Sequence, residues 1–135
     1  MHNVLIIDDS DINLTLIKAL VLKLGDCSPT LFDNPLNALE WCRSNVPDLV
    51  IVDYMMPDMD GLKFISAFRA LHGRNEIPVL MITANDQKDV RYEALLGGAN
   101  DFLTKPIDRG EFSARARNML SLRTGQKFLA DRAEH

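Results

Sequence analysis

The chain has 135 residues, the size of one domain with enough interior to fold without disulfides or a structural metal. A net charge of −4, with 47% hydrophobic and 25% charged residues, is ordinary for a globular protein and gives no general attraction to nucleic acid or to an anionic membrane. The charge is unevenly spread: residues 109–135 hold six Lys or Arg against three Asp or Glu, whereas residues 1–108 hold nine against sixteen. Cys27 and Cys42 show no paired-motif spacing and read as reduced, buried small hydrophobes. No apolar run approaches the roughly 18 residues of a membrane span. Met1-His2-Asn3 leads straight into a strand rather than a signal peptide, so a cytoplasmic location is expected.

Val4 to Ile7 is a short, wholly apolar run ending on Asp8-Asp9 and reads as the first strand. Ser10 or Asp11 can cap the segment that follows. There Ile12, Leu16, Ile17, Leu20, Val21 and Leu24 recur at helical spacing until Gly25. Ser28 to Phe32 is a weaker strand, and Pro29, which lacks a ladder donor, places it at a sheet edge. Asn34-Pro35 reads as an N-cap with proline at the first helical position, opening a helix to about Arg43.

Leu49 to Asp53 is an unbroken apolar strand that stops on a carboxylate, as a strand buried on both faces of a parallel sheet does when it ends at a ligand crevice. Pro57 to Gly61 is a polar turn. It lacks the alternating ligands and terminal Glu of a calcium loop. Leu62, Phe64, Ile65, Phe68 and Leu71 form the stripe of a third helix ended by Gly73. Pro78 to Thr83 is a buried strand ending on a hydroxyl, and a helix from about Asp86 to Leu96 closes at Gly97-Gly98. Asn100 to Thr104 is the last strand, followed by Lys105-Pro106. Asp108 and Glu111, spaced as in a capping box, open a final helix that runs well past Leu122, supported by the i,i+4 pairs Glu111/Arg115 and Lys127/Asp131, with Phe128 and Leu129 beyond the expected core.

Five strand–helix units with short connections and right-handed crossovers predict an α/β fold: a doubly wound, flavodoxin-like (βα)5 sandwich with parallel strand order 2-1-3-4-5 and an extended C-terminal helix. In that order the first and third strands are central neighbours, so Asp8, Asp9 and Asp53 converge. Taken singly, each would more commonly be a strand-end or capping acid. Three together repel unless a divalent cation neutralises them, and an all-oxygen donor set suits Mg²⁺. Thr83 and Lys105 end strands on the other side of Asp53. They supply a hydroxyl and a cation where a phosphoryl oxygen would lie, with Asp53 as nucleophile.

Four motifs stand in this order: IIDDS after the first strand, VDYMMPDMDG around Asp53, MITA at the end of the fourth strand, and FLTKP at the end of the fifth. With them the chain resembles the receiver domain of two-component response regulators over residues 3 to about 122. The resemblance implies that Asp53 is the phosphoacceptor, that Asp8, Asp9, Asp53 and the backbone carbonyl of Met55 hold Mg²⁺, and that Thr83 and Lys105 contact the phosphoryl group with the Ala84 N–H. It also implies that Phe102 is the switch aromatic moving with Thr83, and that the Lys105-Pro106 bond is cis. Met55 and Asn85 stand where the family governs attack of water on the acyl phosphate. A methionine cannot orient water, so slow decay of the phosphorylated state is expected.

The implied function is a phosphorylation switch rather than a metabolic enzyme. Asp53 takes a phosphoryl group from a histidine kinase or phosphotransfer protein, and the surface of the fourth helix, fifth strand and fifth helix changes toward an output domain, a partner or a phosphorylation-dependent homodimer. Neither nucleic acid nor membrane is an expected partner of this domain. Three rivals are weaker. A Mg²⁺-dependent aspartyl phosphohydrolase would need a second acid at Met55, a nucleotide or flavin module would need a glycine-rich loop after the first strand, and a docking-only receiver would not need Asp9, Asp53, Thr83 and Lys105 intact. Residues 1–122 are thus expected to be the receiver and 123–135 a helical extension. The extension is similar to the linker leading to HD-GYP cyclic-di-GMP phosphodiesterase outputs.

Overall fold

The structure, a computed structural model, describes residues 1–72, 77–84 and 88–133, the side chains of 88, 90, 91 and 126–133 excepted. Five strands alternate with five helices: β1 His2–Ile7, α1 Asp11–Leu24, β2 Cys27–Phe32, α2 Pro35–Cys42, β3 Leu49–Asp53, α3 Gly61–His72, β4 Val79–Thr83, α4 Lys88–Leu96, β5 Asp101–Thr104 and α5 Arg109–Ala133. All strand pairings are parallel, in the order β2-β1-β3-β4-β5. The fold is the expected flavodoxin-like one, with Pro29 on an edge strand where its missing N–H costs no ladder bond.

The strands are apolar throughout because both faces of the sheet are covered. Val4, Ile6, Leu49, Ile51, Leu80 and Ile82 point to one side, against α1 and α5, where they meet Ile17, Val21, Phe112 and Ala116. Their alternates Leu5, Ile7, Val50, Val52, Val79 and Met81 point to the other, against Ala38 of α2 and Phe64, Ile65 and Phe68 of α3. Burying each such side chain contributes roughly 1.5–3 kcal/mol. The alternation has period two, so a one-residue slip in β3 would exchange the two cores and rotate Asp53 away from the sheet end.

Local signals place the helices. Ser10 caps α1 by accepting the Asn13 N–H at 3.4 Å, and Gly25 ends it at φ 80°. Asn34 caps α2 by accepting the N–H groups of Leu36 and Asn37, with Pro35 at the first helical position. Two helix faces differ from expectation. In α1 the buried face is Leu14, Ile17, Leu20 and Val21, while Ile12 is 82% exposed. Ile12 lies about 200° around the helix from Leu14, on the solvent side. In α3 the last apolar residue of the stripe, Leu71, is also exposed. The capping box of α5 is half made: Asp108 accepts the Gly110 N–H, but the Glu111 carboxylate bonds Arg115 instead. The expected end of α3 at Gly73 and start of α4 at Asp86 lie outside the described residues. Among those described, no helix is long and apolar enough to cross a membrane.

Candidate functional site

The ladder itself assembles the site. Ile7 of β1 pairs with Val52 of β3, so Asp8 and Asp53 are the next residues on neighbouring strands. Asp53 pairs in turn with Ile82, and Thr83 pairs with Thr104, whose successor Lys105 donates its N–H to the Thr83 carbonyl at 2.7 Å. The carboxyl ends of β1, β3, β4 and β5 therefore carry Asp8, Asp53, Thr83 and Lys105 side by side. Asp9 follows β1 directly. One carboxylate oxygen from each of Asp8, Asp9 and Asp53 lies within 4.8 Å of the others. No other group of three His, Cys, Asp or Glu among the described residues comes together in this way.

Burial sets the electrostatics. Asp8 is 1% exposed and Asp53 3%, while Asp9 faces solvent. Loss of water pushes both buried carboxyls above their ordinary value. The Ser10 N–H, donated to Asp8 Oδ1 at 2.9 Å, and the Lys105 ammonium, 2.9 Å from Asp53 Oδ1, pull the other way, while the Asp9 charge raises Asp8 and the charges of Asp8 and Asp9 raise Asp53. The second oxygen of Asp8 is the informative atom. Oδ2 is the one buried side-chain N or O atom among the described residues without a hydrogen-bond partner. A desolvated carboxylate oxygen left so, with two more carboxylates beside it, is costly unless a cation meets it. The donor set is oxygen only, which fits Mg²⁺. Asp8, Asp9 and Asp53 are thus suited to hold such an ion.

Around this core, Thr83 is buried, Ala84 is exposed just after β4, and Phe102 is half-buried beside Met81 in the β4–β5 ladder. The Lys105-Pro106 peptide is cis, as expected. Met55 is 63% exposed, whereas Met56 turns into the core. Asn85 lies outside the described residues.

Two supporting residues were not legible as such. A Cβ at Gly61 would stand 2.7 Å from the Asp53 carbonyl oxygen, so only glycine lets the start of α3 pack against the end of β3, and its N–H reaches the Tyr54 carbonyl at 2.8 Å. The MPDMDG turn signalled a loop, but not this close approach. Asp58 accepts a hydrogen bond from the Asn34 side chain at 3.0 Å, tying the same loop to the cap of α2, a contact between distant stretches that no local pattern announces. A cleft of about 480 Å³ at the start of β1, lined by His2, Asp26 and Arg117 among others, lies at the other end of the strands and contains none of these residues.

Comparisons with known proteins agree with this fold. A family model described as the response regulator receiver domain matches residues 4–117. The chain is 38% identical to the cyclic di-GMP phosphodiesterase response regulator RpfG of Xanthomonas campestris over 97% of its own length and 35% of that protein's. It is also 38% identical to the response regulator PleD of Caulobacter vibrioides, over 86% of this chain and 25% of PleD. It therefore spans about a third or less of these curated relatives. Among solved structures, the receiver domain of a sensor histidine kinase from Pseudomonas aeruginosa, with a magnesium ion coordinated in its active-site cleft, superposes with a TM-score of 0.79 at 27% identity, covering 89% of this chain and 98% of that one. The chain belongs to the response regulator receiver domains, the signalling modules of bacterial two-component systems.

Proposed function

We propose that this domain is a phosphorylation switch in which Asp53 accepts a phosphoryl group from the phosphohistidine of a partner kinase or phosphotransfer protein. The observation that carries this reading is the arrangement at the strand ends: a buried Asp53 paired with Lys105 at 2.9 Å, next to an Asp8 oxygen with no hydrogen-bond partner among the described residues. An Asp53 carboxylate oxygen forms the new O–P bond as the N–P bond breaks, and the departing imidazole nitrogen keeps the electron pair. Asp8, Asp9, Asp53 and the Met55 carbonyl would hold Mg²⁺, which supplies neutralising charge to the phosphoryl oxygens. Lys105 then leaves its pair with the free carboxylate for the phosphoryl oxygens. The Thr83 hydroxyl and the Ala84 N–H donate to the same group.

The domain carries out this transfer and its slow reversal on itself and turns over no metabolite. In our reading Thr83 moves toward the phosphoryl group and Phe102 turns inward, which changes the face made by α4, β5 and α5. A cytoplasmic site of action, an output domain of the cyclic-di-GMP phosphodiesterase kind, a phosphorylation-dependent homodimer, and the division into a receiver at residues 1–122 and an extension at 123–135 belong to the same proposal. The similarity to RpfG supports the output assignment. The solvent-facing Met55 side chain supports a long-lived phosphoryl group: Met55→Asn is expected to shorten its lifetime several-fold, read by phosphate release.

Intact mass after acetyl phosphate and Mg²⁺ tests the central step. The wild type is expected to gain one phosphoryl group and Asp53→Asn none. An undiminished adduct on Asp53→Asn, or none on the wild type, overturns the assignment.

A further inference from the structure

The apolar stripe of α5 runs Phe112, Ala116, Met119 and Leu120, all buried. The next position on that stripe is 123, and the residue there is an arginine. Its side chain is only 12% exposed, and Nε donates to Asp48 Oδ1 at 3.3 Å, where the Asp48 side chain is 4% exposed. Asp48 is itself built into the sheet. Its N–H donates to the Asn3 carbonyl at 2.7 Å and its Oδ2 accepts the Asn3 N–H at 2.8 Å, extending the β1–β3 ladder by one step at the edge away from the acidic site. Arg123 lies past residue 117, where the match to the receiver family ends, while Asp48 lies within it, and the ten helical residues 124–133 follow Arg123.

A leucine at position 123 would hold the helix by buried area, which has little directional preference. A guanidinium bonded to a carboxylate that is itself held by the Asn3 N–H, on a residue whose own N–H is tied to the Asn3 carbonyl, favours one rotation and one height of the helix. A polar pair in an otherwise apolar seam sets register in some proteins. We propose that Asp48 and Arg123 form a register lock. It fixes where α5 leaves the sheet and keeps residues 124–133 helical by holding the turn on which they are built. Ten residues are too few to sustain a helix alone, so the extension depends on an anchored nucleus. The lock stands independently of the phosphoryl chemistry at the other end of the strands.

Amide hydrogen exchange read by mass spectrometry, without phosphodonor, tests this. In the wild type, residues 124–133 are expected to exchange more slowly than an unstructured chain. In Arg123→Ala their protection falls by at least about tenfold, and by more than that of β3. Asp48→Asn/Arg123→Ala leaves no buried charge unpaired and covers the case in which the single variant fails to fold; the extension should lose protection there as well, relative to Asp48→Asn. Unchanged protection over 124–133 in the variants that fold, or no protection in the wild type, overturns the lock.

Discussion

The two ends of the central strands each bury an aspartate, and the two are treated in opposite ways. At the amino-terminal edge, Asp48 is 3% exposed and has both oxygens engaged, one by Arg123 and one by the Asn3 N–H. At the carboxyl edge, Asp8 and Asp53 are as deeply buried, yet three carboxylates crowd together with Lys105 paired to Asp53, and among the described residues an Asp8 oxygen finds no hydrogen-bond partner. A satisfied buried carboxylate is a joint. A cluster of buried carboxylates with an unsatisfied oxygen is suited to a cation or a proton, because either one offsets the desolvation cost.

That contrast can be broken most severely at the joint. Asp48→Ala leaves Arg123 and the Asn3 N–H without their buried acceptor and should lower unfolding free energy by about 3–5 kcal/mol in urea denaturation. A loss near that of an exposed ion pair, below about 1 kcal/mol, would deny Asp48 its structural part.

At the carboxyl edge the effect is smaller and runs with pH. Burial raises the Asp8 and Asp53 carboxyls above their unfolded value. The folded state therefore holds protons that the unfolded state releases. This contribution to stability is fully present below the ordinary carboxylate value of 3.8 and is lost as pH rises through the raised folded values. With divalent cations chelated, Asp8→Asn should flatten that loss, as read from melting temperature across the acid range. An unaltered slope would mean that Asp8 carries none of the strain.

The sequence was unequally open about the two ends. The carboxyl edge was legible because its residues terminate apolar strands: once Val4 to Ile7 and Leu49 to Val52 read as buried on both faces, Asp8, Asp9 and Asp53 had to fall at one end, and Thr83 and Lys105 beside them. The cis Lys105-Pro106 bond came from resemblance alone. The joint was illegible. Asp48 follows Pro47 like any turn acid, and Arg123 lies 75 residues away in a charged stretch that reads as a solvated helix face. Only the fold brings them together. Ile12 misled for a related reason, since an apolar residue near a helix start fits more than one face until the neighbouring strand picks Leu14. Gly61 looked like turn punctuation because close approach to the Asp53 carbonyl is a tertiary fact.

Thermal melting with and without Mg²⁺ separates the two ends most directly. At a Mg²⁺ concentration tenfold above its dissociation constant, binding should stabilise the wild type by about 1.4 kcal/mol, a rise on the order of 4 °C for a domain of this size. Asp48→Asn should keep that rise from its lower starting point, and Asp9→Asn should lose it. An unchanged melting temperature in the wild type, or an equal rise in Asp9→Asn, would contradict the assignment of the acidic end as a cation site.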